Sequence, residues 1–477
     1  MSSSPSTPGL EALAQRVKAE LEMLEIPLRQ WVPPRFDAAG APLVDVVIVG
    51  AGLSGLSIAF GLMRQGITRV QIIDAAEPGR EGPWITTARM RTLRSPKTMT
   101  GPDLGVPSLT YRSWHEARYG ADHWQALGLI DRCDWMDYLN WFRHAVGLKV
   151  QNRTRLVDIA GEGDHLSLTV ETPEGRSRIG CRKVVLATGI DGAGGLHIPA
   201  GIANILPRER WAHSGEALDL NQLAGKDVGV VGAAASSFDW AVAAIEAGAK
   251  SVTVLARGRV MPKTEILDWS NFPGFLNHFA DLDDHRRYDF SRRMLSFKAP
   301  PTMEMFTRAL AAPNCRLVLD AAVSAARFEN DRVHVDTAAG AFDFDMLLLG
   351  TGYTVDLARR PELANSLDRI ATWRDRYTPA GREADSELLK YPYLGPDFEL
   401  TEKVPGTAPF LAHVHVFNNG AVPSMGPVCN GITGLKSGAP RLVASLTRKL
   451  FLEDADQHYQ SLDSYNKVHF DPPGLAG

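Results

Sequence analysis

The chain has 477 residues, enough for two or three domains, with a formal net charge of −4 and 44% apolar residues. Its mixed charges announce neither a nucleic-acid nor an anionic-membrane surface, no apolar run reaches transmembrane length, and the Ser/Pro-rich, then acidic N-terminus is unlike a signal peptide, so the cytoplasm is the expected location. Cys133, Cys181, Cys315 and Cys429 form neither a vicinal redox pair nor a zinc spacing, which argues against a flavoprotein disulfide reductase and predicts no metal.

In chain order, residues 1–8 are expected to be disordered, and Leu10 to Ile26 reads as a charged helix with Leu13, Val17, Leu21 and Leu24 on one stripe. Residues 1–41 form an arm outside the main fold, packing on the body or on a second subunit as in a homodimer. Val46 to Val49 is a β-branched run ending in Gly50, as a buried parallel strand should. Gly50 permits the tight turn, Gly52 the approach of a pyrophosphate and Gly55 the close seat of the following helix, Ser54 to Gln65. That helix directs its first N–H groups at the phosphates. Val70 to Ile73 is the next strand, and Asp74 stands where a carboxylate accepts hydrogen bonds from an adenosine ribose.

Gly79 to Pro107, rich in Arg, Thr and Pro, is a long loop of the sort that carries function. Trp114, Trp124, Trp135 and Trp141 recur at helical spacing, most of them as core, and Val150 to Ile179 alternates as antiparallel strands turning at Pro173-Glu-Gly175. Lys183 to Gly189 is a strand that ends in Thr188-Gly189. A second turn then repeats the first: strand Val228 to Val231, Gly232, helix Phe238 to Ala247, strand Ser251 to Ala256, with Ala234 at the close-approach position, Ser237 at the packing position and Ser236 beside it. Arg257 replaces the acid, which points to a 2′-phosphate and hence to NADP.

Val260 to Asn314 mixes Phe, Trp and Pro with Arg286, Arg287, Arg292, Arg293 and Lys298, and is either a surface insertion or a substrate lid. Phe344 to Tyr353 repeats the Thr-Gly ending at Thr351-Gly352; two such endings fit two backbone crossings close to a cofactor. Asn418-Asn-Gly420 and Gly426 to Gly434, including Ile432 and Thr433, form a glycine-rich entry to a helix ending near Leu450, whose N–H groups could hold negative charge. The expected fold class is α/β, with two Rossmann-like units, the second inserted in the first. The first comprises residues 42–205 and 321–477, the second 206–320 with a lid over 260–312.

These residues resemble class B flavin-dependent monooxygenases, the flavin-containing and N-hydroxylating enzymes, over roughly residues 42–450. Gly82-Pro-Trp84 resembles the family's Gly-Gly-x-Trp turn, and Arg94-Ser-Pro-Lys97-Thr-Met99 its Asn-Ser-Ser-Lys-x-Met stretch beside the flavin. Leu206-Pro-Arg-Glu-Arg-Trp-Ala-His213-Ser214 resembles the fingerprint Phe-x-Gly-x-x-x-His-Ser, and Leu349-Gly-Thr351-Gly352-Tyr353 the Ala-Thr-Gly-Tyr motif. Leu206, Arg208 and Arg94 depart from the pattern, and no Trp-Pro follows His213 as in the Baeyer–Villiger version.

The resemblance implies FAD in the first turn and NADPH in the second. It also implies transfer of one oxygen atom from O2, through a C4a-hydroperoxyflavin, to nitrogen or sulfur of a small substrate such as an amine or amino acid. Gly50, Gly52, Gly55, Asp74, Trp84, Thr188, Gly189, Gly232, Ser236, Ser237, Arg257, Thr351, Gly352, Ile432 and Thr433 are then the cofactor-binding candidates. Arg94, Lys97 and His213 are the catalytic candidates. Arg89, Arg91, Arg94 and Lys97 would face the flavin or an acidic substrate, unless they are solvated surface; His213 touches the nicotinamide ribose or phosphate, or is an ordinary loop histidine. Competing readings are a flavin oxidoreductase passing electrons to a quinone or partner protein, and a dinucleotide sensor without turnover.

Overall fold

The computed structural model describes residues 8–379, 386–429 and 431–470; the expectation for residues 1–7, and Asn430 of the glycine-rich entry, lie outside them. The arm is helix α1 (Pro8–Met23), which takes in Pro8 of the stretch expected to be disordered and ends three residues before the expected Ile26; its buried stripe is Leu10, Leu13, Val17 and Leu21. Leu24 lies beyond the helix end and is 52% exposed, so the stripe stops one residue short of the expected set.

Strand β1 (Val44–Val49), helix α2 (Leu53–Arg64) and strand β2 (Val70–Ile73) form the first strand–turn–helix–strand unit. After the loop come α3 (Tyr111–Tyr119), α4 (Ala121–Ala126) and α5 (Arg132–Ala145). Trp114, Trp124 and Trp135 are buried here with Tyr111, Tyr138 and the apolar stripe of α1, so the arm packs on the chain's own body. Strands β3 (Val150–Gln151), β4 (Arg155–Glu162), β5 (His165–Thr172) and β6 (Gly175–Leu186) complete a sheet ordered β3-β2-β1-β6-β5-β4. The first half of β6 pairs antiparallel with β5, and its second half parallel with β1. The parallel strands carry Val and Ile on both faces because helices cover both.

The chain leaves this sheet through β7 (Gly194–Leu196) and the short helix α6 (Ala200–Ala203). It then builds β8 (Trp211–His213), β9 (Asp227–Val231), α7 (Ala235–Glu246) and β10 (Ser251–Leu255). Helix α7 starts three residues before the expected Phe238, because the Ala-Ala-Ala-Ser-Ser run contains no breaker. Residues 260–312 are more regular than expected: α8 (Ile266–Ser270), α9 (Pro273–His278), α10 (Asp284–Ser296) and α11 (Met303–Ala311). Helix α9 packs near α14 (Leu435–Glu453, below) through Arg441 Nη1 donating to the Leu276 carbonyl, whereas α11 packs on α7.

Strand β11 (Cys315–Val318), the meander β12 (Val323–Glu329), β13 (Arg332–Thr337) and β14 (Gly340–Phe344), and β15 (Met346–Leu349) follow. The second sheet is ordered β11-β10-β9-β15-β8, and each pairing in it is parallel. Strand β16 (Tyr353–Val355) pairs antiparallel with β7, so the two backbone crossings form one ribbon. Helix α12 (Trp373–Arg376) precedes β17 (Val414–Val416), which joins the first sheet beside β6; the second unit is thus inserted in the first. Helices α13 (Val422–Met425), α14 and α15 (Ala455–Asp463) close the chain. Gly61 lets α14 approach α2, since a Cβ there would lie 2.7 Å from Val443 Cγ2. Arg182 of β6 holds Asp454 at 2.7 Å and Lys183 pairs with Glu453, anchoring the far end of α14. Among the described residues no helix is long and apolar enough to cross a membrane.

Candidate functional site

The two turns lie at the carboxyl ends of β1 and β9, where open parallel sheets receive their ligands. In the first, the three glycines have different tasks. Gly50 has φ +105°, and a Cβ on it would stand 2.4 Å from the Ala187 carbonyl oxygen. A Cβ on Gly55 would stand 1.8 Å from the Gly50 oxygen, so both serve the packing of turn against sheet. Gly52 would meet only Gly82 Cα, at 3.9 Å; it borders open space and is the N-cap of α2, with no side chain capping the helix. The uncapped amides and the missing Cβ suit a diphosphate.

Asp74 accepts hydrogen bonds from the backbone N–H groups of Ala51 and Ala76, both at 2.7 Å, one on each oxygen. Each oxygen keeps a second lone pair toward a ribose. Trp84 packs edge-on against Trp135 at 6.2 Å, and its carbonyl accepts from Arg132, which sets the Gly82 turn opposite Gly52. Ile432 and Thr433 are partly buried just before α14, with Ile432 against the aromatic cluster of the first unit. Helix α14 starts at Gly434 without a side-chain cap.

The Thr-Gly endings hold the crossing ribbon. Thr188 Oγ1 accepts from Asn418 Nδ2 at 3.0 Å, and Thr351 Oγ1 donates to the His197 carbonyl. Gly189 and Gly352 take φ of +80° and +83°, which favours glycine. Asn418, 1% exposed, also donates toward the Gly192 carbonyl at 3.3 Å; its amide ties the C-terminal segment to the exit from β6. The glycine-rich sequence drew attention to its helix entry and missed this tie.

In the second turn Gly232 has φ +121°, and a Cβ there would meet the Gly350 oxygen at 2.5 Å. Ala234 is the N-cap of α7, again without a side-chain cap. The Ala235 N–H, however, donates to the Ala299 carbonyl at 2.9 Å, so the chain after α10 crosses this helix end. Ser236 is partly exposed, whereas Ser237 is fully buried with its Oγ against Gly350. Ser237 thus packs the turn against the end of β15. Arg257 emerges exposed from the end of β10 with no hydrogen bond or ion pair among the described residues.

Two of the catalytic candidates have their polar groups engaged within the protein. Lys97 Nζ donates to the carbonyls of Trp124, Gln125 and Leu127 at 2.7, 3.3 and 2.6 Å. All three ammonium protons close the carbonyl end of α4, leaving none for a flavin. Lys97→Met is accordingly expected to lower stability by about 1–2 kcal/mol, with flavin reduction unchanged. A tenfold slower flavin reduction in stopped flow, in a protein of normal FAD content, would return Lys97 to the active site. His213 has no exposed surface; its Nδ1 accepts from the Gly215 N–H at 3.0 Å and its ring meets Tyr353 edge-on at 6.0 Å. Burial lowers its pKa, only partly opposed by Glu216, and favours the neutral ring beside the crossing.

Arg94 is different. It is exposed and makes no hydrogen bond among the described residues, and its charge acts on Asp239 of α7. Desolvation pushes the Asp239 carboxyl up to about 7, with Arg94 pulling the other way. Arg89 stacks over Trp240 at 4.9 Å and donates to the carbonyls of Thr86, Ala88 and, at 3.4 Å, Leu218 of the second unit. Arg91 is exposed, its carbonyl accepting from the Arg132 N–H. The cationic run thus divides into a helix cap (Lys97), a clamp between units (Arg89) and two exposed guanidinium groups, Arg91 and Arg94, whose side chains have no hydrogen-bond partner among the described residues. His413 and His415, a superficial metal pair, are held by Lys183 and by the Asp397 carbonyl. Burial pushes them down to about 4 and about 3. A cavity of about 310 Å³ beside the edge strand β8, lined among others by Arg208, Trp211, Glu216, Leu218 and Met346, includes no residue of either turn.

Comparison with known proteins agrees with this geometry. A family model described as FAD-NAD(P)-binding matches residues 47–191, and one described as L-lysine 6-monooxygenase/L-ornithine 5-monooxygenase matches residues 124–303. The chain is 40% identical over 465 residues, 97% of each chain, to the FAD-dependent urate hydroxylase of Xanthomonas campestris pv. campestris. The ornithine N-hydroxylase of Kutzneria sp. 744, solved with reduced FAD, NADP+ and L-ornithine, superposes with a TM-score of 0.66 at 18% identity, over 86% of this chain and 100% of that one. The ornithine hydroxylase of Pseudomonas aeruginosa gives 0.65 at 14% identity, with the same coverage.

Proposed function

The chain belongs to the family of the FAD-dependent urate hydroxylase, within the class B flavin-dependent monooxygenases, with FAD and NADPH as cofactors, and from that premise we propose that it hydroxylates urate or a closely related oxopurine anion. The observation that carries this reading is 40% identity maintained over 97% of both chains. Bound FAD supplies the redox chemistry, taking electrons from NADPH and activating O2.

The protein's part is binding, orientation and exclusion of water. In this reading Gly52 and Gly82 admit the FAD diphosphate, Asp74 receives its ribose, and the start of α14, with Ile432 and Thr433, faces the flavin. Gly232, Ser236 and Arg257 hold NADPH, while Trp84, Thr188, Gly189, Thr351 and Gly352 shape the passage between the two. Helices α8 to α10 wall the substrate side, where Trp269 packs on Phe275 at 5.2 Å. Arg94, exposed and without a hydrogen bond among the described residues, suits an anionic substrate. In urate the electron-rich carbon is C5 of the C4–C5 double bond, so oxygen is placed there.

Oxygen insertion at an amine nitrogen or at sulfur is the second reading, favoured by the lysine/ornithine monooxygenase match over residues 124–303. The deciding assay supplies NADPH and labelled O2 with urate, ornithine, lysine, a thioether and a ketone in turn. The expected result is label in a hydroxylated purine with coupled NADPH oxidation. Label only in a hydroxylamine or sulfoxide would install the second reading, and full NADPH oxidation by a quinone without O2 would overturn both.

A further inference from the structure

We infer that Glu81 is a positioning residue that sets the Gly82-Pro-Trp84 turn against the FAD diphosphate, and that Arg143 must neutralise its charge for FAD to bind. This rests on the reading above in which Gly52 and Asp74 receive FAD. In the resembled Gly-Gly-x-Trp turn the first glycine falls at Glu81, so this chain carries an acid where that motif has no side chain. The acid is 3% exposed. Its neighbour Gly82 has its Cα 3.9 Å from where a Cβ on Gly52 would stand, so the carboxylate is buried one residue from the wall of the diphosphate space. Left alone, a buried carboxylate there would repel a diphosphate and would itself be costly to desolvate.

Two donors meet that charge on one oxygen. Arg143 Nη1 and Asn152 Nδ2 both donate to Glu81 Oε1 at 2.7 Å. Arg143 lies in the last turn of α5, and Arg132, in its first, donates to the Trp84 carbonyl, so one helix pins the turn at both ends. Asn152 carries the same clamp to the ribose side. Its Nδ2 also donates to the Ala76 carbonyl at 3.2 Å, and the Ala76 N–H donates to the Asp74 carboxylate at 2.7 Å. The backbone on either side of Asn152 brackets Asp74: the Asp74 N–H donates to the Gln151 carbonyl at 3.0 Å, and the Thr154 N–H to the Asp74 carbonyl at 2.8 Å. The neighbouring acid Glu77 is paired with Arg153 at 2.6 Å and stays out of the clamp. One carboxylate thus ties together the acid at the ribose and the turn at the diphosphate.

The full-length holoenzyme, Glu81→Gln, Arg143→Met, the double variant and Asn152→Ala are diluted stepwise. Flavin fluorescence reads FAD release, circular dichroism reads Tm, and stopped flow reads flavin reduction at saturating FAD. Glu81→Gln keeps an acceptor without the charge and should weaken FAD binding about tenfold. Arg143→Met strands the carboxylate beside the diphosphate and should weaken it about 100-fold. Adding Glu81→Gln to Arg143→Met should then recover about tenfold, a gain that a second loss of packing does not produce. In each variant the limiting rate of flavin reduction should change far less than the affinity. FAD held as tightly by Arg143→Met as by the unaltered chain, or a double variant no tighter than Arg143→Met alone, would overturn the role of Glu81. If Arg143→Met does not fold, Asn152→Ala decides. It leaves the ion pair, cuts the tie to Ala76 and should weaken FAD about tenfold; a lowered Tm with unchanged FAD affinity overturns the role. A Gly52→Val protein that keeps its FAD would instead overturn the underlying site reading.

Discussion

Gly52→Val is expected to give a correctly folded protein that holds FAD at least about tenfold more weakly, a loss of about 1.4 kcal/mol or more. The substitution isolates the ligand because the protein itself tolerates it. Gly52 has φ −70°, open to any residue, and the added Cβ meets only Gly82 Cα at 3.9 Å, an ordinary contact. The branched side chain instead fills the space in front of the uncapped α2 amides. Circular dichroism and Tm should stay near those of the apoprotein, while the flavin spectrum of the purified variant is lost. Gly55→Val is the contrasting control: its Cβ would stand 1.8 Å from the Gly50 oxygen, so it should damage folding and flavin binding together. A yellow Gly52→Val protein with full FAD occupancy would show that the diphosphate lies elsewhere.

Arg257→Ala is expected to remove most of the preference for NADPH over NADH. A charge-assisted hydrogen bond contributes about 1.5–3 kcal/mol, or about a ten- to hundredfold ratio of affinities. Arg257 is available for this because it is exposed and forms no ion pair among the described residues, whereas nearby Arg259 is already paired with Asp320 at 3.1 Å. The loss should appear in the KM for NADPH, with NADH use and the limiting rate of flavin reduction nearly unchanged. Equal use of the two nucleotides by the unaltered protein would mean that Arg257 reads no phosphate.

The legible parts of the sequence were those whose chemistry is local. The Gly50–Gly55 turn could be read because its requirements are covalent geometry and the absence of a Cβ, and the inserted order of the two units followed from the order of their turns. Side-chain destination was not local. Lys97 lies in a stretch that resembles a flavin-side motif, but the carbonyl end of α4, formed some two dozen residues later, captures its ammonium group. His213 sits in a recognisable fingerprint, yet the pairing of β8 with β15 buries it. Asp239 drew no notice as an acid within an apolar helix; the burial that raises its carboxyl pKa arises only on folding. Residues 260–312 read as irregular because their apolar groups face two different partners, the first unit for α9 and α10 and α7 for α11.

The β7–β16 ribbon carries one more consequence. The chain passes twice between its two sheets, and independent linkers would let one unit slide or roll over the other. Here the two passages are hydrogen-bonded side by side, with Gly194 so close to Thr354 that a Cβ would lie 2.1 Å from its carbonyl oxygen. Strands bonded along their length oppose sliding past one another, since any slip breaks the bonds between them together. The two units are thereby joined through one paired strip instead of through two separate joints.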